Sequence, residues 1–160
     1  MSTLDARTLR LGAVVLTMGN RPAELQDLLD SVAKQQGPAV EVALVGNSHS
    51  GQWLPALDRI ARANGWRVTT HMASACVAAD VRQDLAIPAA VDGCLDWVER
   101  TTATVLEDRP DAVVYSNRIF EAVEGEDSVE SSVPAYEEGM RAVLQEWSRA
   151  EIPVLVLHDT

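Results

Sequence analysis

The chain has 160 residues, 47% of them hydrophobic and 23% charged, which fits one globular domain with a sizeable core. Its formal net charge of -11 argues against a nucleic-acid backbone or an anionic membrane surface as the main partner. No apolar run approaches the ~20 residues of a membrane span, and residues 1–10 lack the apolar segment of a signal peptide, so the chain reads as soluble and, as written, cytoplasmic.

After a polar lead-in, Leu11 to Met18 form a continuous apolar run, the pattern of a strand covered on both faces. Gly19-Asn20-Arg21-Pro22 breaks the run, and Pro22 suits the first turn of a helix. Leu25, Leu28, Leu29 and Val32 follow at helical spacing, and Gln36-Gly37-Pro38 ends that element. Val40 to Val45 is the second strand. It stops at Gly46-Asn47-Ser48-His49, after which Trp53, Leu57, Ile60, Ala61 and Asn64 share one helical side up to Gly65. Trp66 to Met72 is the third strand, with His71 near its end. Residues 73–90 have no period and are broken by Pro88. Val91, Cys94, Leu95, Val98, Thr102 and Val105 make the next helical stripe, and Ala112 to Tyr115 a buried-type strand. Residues 121–132 are acidic and read as a flexible loop rather than a metal site; no metal and no cofactor is expected. Tyr136, Met140, Val143, Leu144 and Trp147 mark the last helix, and Ile152 to Leu157 the last strand. Alternating βα units with short connections predict a three-layer αβα sandwich around a mostly parallel sheet of about five strands, all within one domain, 1–160.

The turn after the second strand carries the chemistry. Strand, tight polar turn and helix present a hydroxyl at the carboxyl edge of a sheet, beside amides that stabilise an oxyanion. Ser48 is the candidate nucleophile, Gly46 and Asn47 shape its turn, and His49 follows it directly. Asn117, just after the Ala112 strand, is a candidate side-chain donor from the same edge, or a turn-forming Asn. A serine needs an aligned base. His158 with Asp159, beyond the last strand, is the available pair, while His71 reads as a structural histidine.

The Gly46-Asn47-Ser48-His49 turn resembles the first block of the SGNH (GDSL-like) hydrolases. Gln52-Trp53-Leu54-Pro55, Gly65-Trp66, Ser74-Ala75-Cys76, Cys94-Leu95-Asp96-Trp97 and Arg109-Pro110-Asp111 extend the likeness to the SGNH domain of acyltransferase family 3 proteins over residues 42–160. Asn47 stands where that family has Asp, Ala73 where it has Lys, and Val77 where it has Pro. The resemblance implies an SGNH-hydrolase or flavodoxin-like sheet. It also implies acyl-ester hydrolysis or O-acetyl transfer to a glycan through Ser48, and a place in a larger membrane acyltransferase whose SGNH domain is extracytoplasmic. It implies a Cys76–Cys94 disulfide; a leaderless chain is equally consistent with two reduced thiols. The family's base lies in a late Asp-x-x-His motif, and none of His49, His71 and His158 has Asp three residues before it. Impaired turnover is therefore expected.

The opening, Val14-Val15-Leu16-Thr17-Met18-Gly19-Asn20-Arg21-Pro22 with Leu28-Leu29-Asp30-Ser31-Val32, is similar to the start of a family 2 glycosyltransferase. The two likenesses meet at Val45-Gly46-Asn47, the pattern of a chimera with an extra βα element, 1–41, in front. Two alternatives stay open: a non-catalytic designed or chimeric α/β scaffold, and a nucleotide-sugar-binding remnant using Gly19-Asn20-Arg21 and Asn47.

Overall fold

The computed structural model describes residues 39–158. The expected strand at Leu11 to Met18, the helix after it, Gly19-Asn20-Arg21 and Asp159 lie outside the described residues.

Four parallel strands form the sheet: β1 (Glu41–Asn47), β2 (Arg67–Ala73), β3 (Ala112–Asn117) and β4 (Val154–His158), in the order β2-β1-β3-β4. The sheet of about five strands expected above is thus four-stranded among the described residues, each strand within two residues of its sequence estimate at its start. Three α-helices connect them: α1 (Leu54–Asn64), α2 (Pro88–Asp108) and α3 (Val129–Arg149). A 3-10 segment, Ser48–Trp53, precedes α1, so the helix does not open directly after the turn.

Alternation along the strands divides the core in two. Val42, Leu44, Val114, Leu155 and Leu157 point to one face and pack against Leu57 and Ile60 of α1. Ala43, Val45, Val113 and Tyr115 point to the other, under Val98 and Val105 of α2 and Val143 and Trp147 of α3. β1 and β3 are buried on both faces, which is why they read as unbroken apolar runs. The expected three layers are present.

Two boundaries differ from the sequence reading. Pro88 opens α2 instead of breaking the segment before it, because a residue in the first turn has no intrahelical use for its N–H. The acidic loop ends sooner than 132, since Ser128 caps α3: its Oγ accepts from the Ser131 amide at 3.1 Å, and the Ser131 Oγ answers from the Ser128 amide. Among the described residues no helix is long and apolar enough to cross a membrane.

The strand order fixes where a site can form. From β1 the chain leaves through α1 on one face; from β3 it leaves through α3 on the other. Neighbouring strands whose connections part in this way leave a crevice at their carboxyl ends, the usual ligand position in open α/β sheets. Here that position is at the carboxyl ends of β1 and β3, marked by Asn47 and Asn117.

Candidate active site

The register aligns the four strand ends. Asn47 pairs with Ala73 on one side, Gly46 with Ser116 on the other, and Asn117 with His158. Ser48 is exposed immediately beyond β1, whereas Ser50 is buried with its Oγ donating to the Asn47 carbonyl at 2.7 Å. Of the two serines in the turn, Ser48 is the one offered to solvent.

Gly46 makes the turn possible. Its φ is +154°, and a Cβ there would sit 1.7 Å from the Ser116 carbonyl oxygen. Only glycine lets β1 and β3 approach so closely at this point.

Asn47 is 1% exposed and uses its amide in both directions. Its Oδ1 accepts from the His49 amide at 3.2 Å and the Arg118 amide at 3.3 Å, while its Nδ2 donates to the Arg118 carbonyl at 2.5 Å. The side chain ties the β1 turn to the residue after Asn117, and an Asp could not make the last bond while ionised. Its two polar ends are spent inside the protein.

Asn117 is held from the opposite end. Its Oδ1 accepts from the Asn47 amide at 3.1 Å and the Ala78 amide at 3.0 Å. Two N–H donors at one atom identify that atom as the oxygen, so the other end of the side chain is the NH₂ group. That Nδ2 is buried and has no hydrogen-bond partner. An orphaned buried donor costs about 1–3 kcal/mol.

The segment that fixes Asn117 is itself anchored. Cys76 and Cys94 form a disulfide with Cα atoms 5.5 Å apart. Gln83, 1% exposed, donates to the Val77 carbonyl at 2.9 Å and accepts from the Val77 amide at 3.0 Å. Its Nε2 also lies 3.1 Å from the Cys94 Sγ. The Tyr115 hydroxyl donates to the Ala78 carbonyl, and burial pushes that phenol's pKa up. Nothing in the sequence pattern marks Gln83. A lone Gln in an aperiodic stretch has no spacing signal, and its partners are set by the loop's path.

The histidines are dispersed. His49 lies beside the Phe120 ring, centroids 5.0 Å apart, and the Arg118 guanidinium carbon is 4.9 Å from the same ring's centre. His71 sits inside β2 opposite Val45, two residues short of the strand end. Burial lowers its pKa, partly offset by Asp108. His158 ends β4, exposed, with β3 between it and Ser48. Two strand spacings put the backbones of residues 48 and 158 about 9–10 Å apart. Among the described residues no group of His, Cys, Asp and Glu is arranged to hold a metal ion.

Beside the crevice is a cavity of about 250 Å³ lined by Ala75, Val77, Gln83, Arg118, Phe120 and Glu121. It lies where the loops after β2 and β3 separate, just before they join through an antiparallel bridge between Gln83 and Val123.

A family model for SGNH domains fused to AT3 domains matches residues 19–160. The chain belongs to this SGNH family. The match begins ahead of the Ser48 turn and takes in much of the opening compared above with a glycosyltransferase. In structure the SGNH domain is similar to the "lipopolysaccharide acetyltransferase periplasmic domain" of Salmonella ser. Paratyphi A, with a TM-score of 0.58 and 10% identity. The likeness covers 85% of this chain and 50% of that one, so this SGNH domain spans half the length of its structural neighbour. At that identity it is a likeness of fold. No curated protein matches the chain.

Proposed function

We propose that this SGNH domain works on acyl esters at the crevice between β1 and β3, by hydrolysis or by O-acetyl transfer to a glycan hydroxyl, with Ser48 as the acyl-bearing group. The observation that carries the reading is the unpartnered Asn117 Nδ2, a buried donor oriented from its oxygen end, one strand away from an exposed serine. A donor left without a partner in the resting protein is what a developing oxyanion requires, and the Ser48 amide would be the second. Membership of a family fused to AT3 domains supports a role beside a membrane acyltransferase, and the disulfide supports an oxidising compartment.

For a serine hydroxyl to attack, a base must take its proton. His158 is the candidate, and the intervening strand sets it far from Ser48. The 160-residue chain is therefore expected to hydrolyse p-nitrophenyl acetate near background, with Ser48→Ala changing the rate little. Binding-site chemistry is testable without turnover. Attack on a fluorophosphonate needs the same proton removed, so the probe should label Ser48 only slowly, at alkaline pH where hydroxide is the base, and Asn117→Ala should slow that labelling about tenfold or more through loss of one oxyanion donor. Labelling of a different serine, or a rate indifferent to Asn117→Ala, would sink the reading. Rapid hydrolysis lost in both Ser48→Ala and His158→Ala would instead make His158 the base and overturn the expectation of impaired turnover.

A further inference from the structure

The cavity beside the crevice has a chemistry of its own. Ala75 and Val77 give it an apolar wall, Phe120 lines it while half exposed, and Gln83 is committed to Val77. That leaves two charged side chains, Arg118 and Glu121. The Glu121 carboxylate lies near the Tyr136 phenol, whose pKa is pushed up to about 12 by burial first and by Glu121 second. Arg118 stands over the Phe120 ring, and among the described residues its guanidinium has no carboxylate partner. Its backbone does not drift, because both its N–H and its C=O are bonded to the buried Asn47 side chain. The guanidinium therefore projects from a fixed point next to the Ser48 turn.

Such an Arg, stacked on an aromatic ring and left without an acid, fits bidentate recognition of a carboxylate or phosphate. The ring offers a face to an apolar or sugar surface next to that anion. A net charge of -11 works against anions arriving anywhere on this protein, so an anion that binds does so because of a local donor. We infer that the Arg118–Phe120 cavity is a subsite for an anionic sugar, its carboxylate or phosphate on Arg118 and its ring face on Phe120, which would make the acyl acceptor or ester an acidic glycan. The inference rests on the reading of Ser48 and Asn117 as the acyl site only in calling this anion site an acceptor subsite.

Amide NMR titration of the full chain separates the contributions, with glucuronate supplying ring and charge, inorganic phosphate charge alone, and glucose the ring alone. Glucuronate is expected to shift the amides of Ala75, Val77, Arg118, Phe120 and Glu121, and to bind about tenfold more tightly than glucose. Phosphate should compete for the same amides, and Arg118→Gln should remove the preference for glucuronate over glucose. Phe120→Ala should weaken glucuronate and glucose together. Because Arg118 reaches Asn47 through its backbone, the Gln variant keeps that contact, and an unchanged spectrum elsewhere verifies its fold. Equal binding of glucose and glucuronate, wild-type affinity in Arg118→Gln, or shifts confined to other amides would overturn the inference. Anion binding without fluorophosphonate labelling of Ser48 would remove the acyl-site reading and leave the anion site standing; labelling without anion binding would do the reverse.

Discussion

Replacing Asn47 by Asp would bring the turn to the Gly-Asp-Ser-His form of the resemblance described above, yet the geometry predicts that it destabilises this protein. In the native turn Nδ2 donates to the Arg118 carbonyl at 2.5 Å while Oδ1 accepts from the His49 and Arg118 amides. An ionised carboxylate keeps and strengthens the two accepted bonds but turns the third into an oxygen facing an oxygen. The lost bond and the stranded carbonyl cost about 1–3 kcal/mol. Burying the charge at a position 1% exposed adds to this, and the two charge-assisted amide bonds return part of it. The expected net loss at neutral pH is about 2–3 kcal/mol. Burial and the facing carbonyl raise the folded-state pKa of the new carboxyl above its unfolded value of about 3.9. The sign follows: below the unfolded value both states are protonated, the carboxyl donates to Arg118, and the loss is small. As pH rises through the raised folded pKa the loss develops in full. Urea unfolding followed by tryptophan fluorescence, from about pH 4 to about pH 8, measures it against the wild type. A variant as stable as the wild type at neutral pH, or one whose loss does not vary with pH, would refute the two-way role of Asn47.

Gly46→Ala should cost about 4 kcal/mol or prevent folding, because its Cβ would overlap the Ser116 carbonyl; an unchanged unfolding midpoint would exclude the close approach of β1 and β3. Reducing the Cys76–Cys94 bond, which closes a separation of 18 residues, should lower unfolding free energy by about 3 kcal/mol in urea with dithiothreitol, and a much smaller loss would mean the loop is held by its other contacts alone. His71 should titrate below its ordinary 6.5 by NMR, because burial outweighs the pull of Asp108. The unfolded chain then takes up a proton first, so the neutral-His71 contribution to stability is present above about pH 6.5 and is lost as pH falls below it. His71→Gln should flatten that slope.

β1 and β3 were legible because burial on both faces writes itself as unbroken apolar runs, as in Val42 to Val45 and Val113 to Tyr115. The α2 stripe was legible because one buried helical face repeats every three to four residues, from Val91 through Cys94 and Val98 to Val105. Pro88 was misread since a proline's effect depends on whether it falls in the first turn or later, and composition alone does not place it. The Ser128 cap escaped because its partner is Ser131 rather than the acidic or amide residue of the common capping box. At the site, Asn117 could be found because it ends a strand at the carboxyl edge. Gln83 and the two-way bonding of Asn47 could not, since both rest on backbone groups brought close only by the fold. His71 showed its strand in the sequence but not its full depth, because β2 runs one residue further than the apolar pattern, to Ala73.

The Cys76–Cys94 bond lies away from Ser48 in the chain, yet it bears on how the crevice meets a ligand. It pins the segment whose Ala78 amide points at Asn117 Oδ1, and so sets where the opposite end of that amide is aimed. With the bond closed, the conformational entropy of this segment has been surrendered before any ligand arrives, and binding need not order it again. With the bond open, each binding event would have to collect a looser loop first. Preorganisation of the donor is thus a covalent property of the chain, acquired once at oxidation and kept through every later encounter.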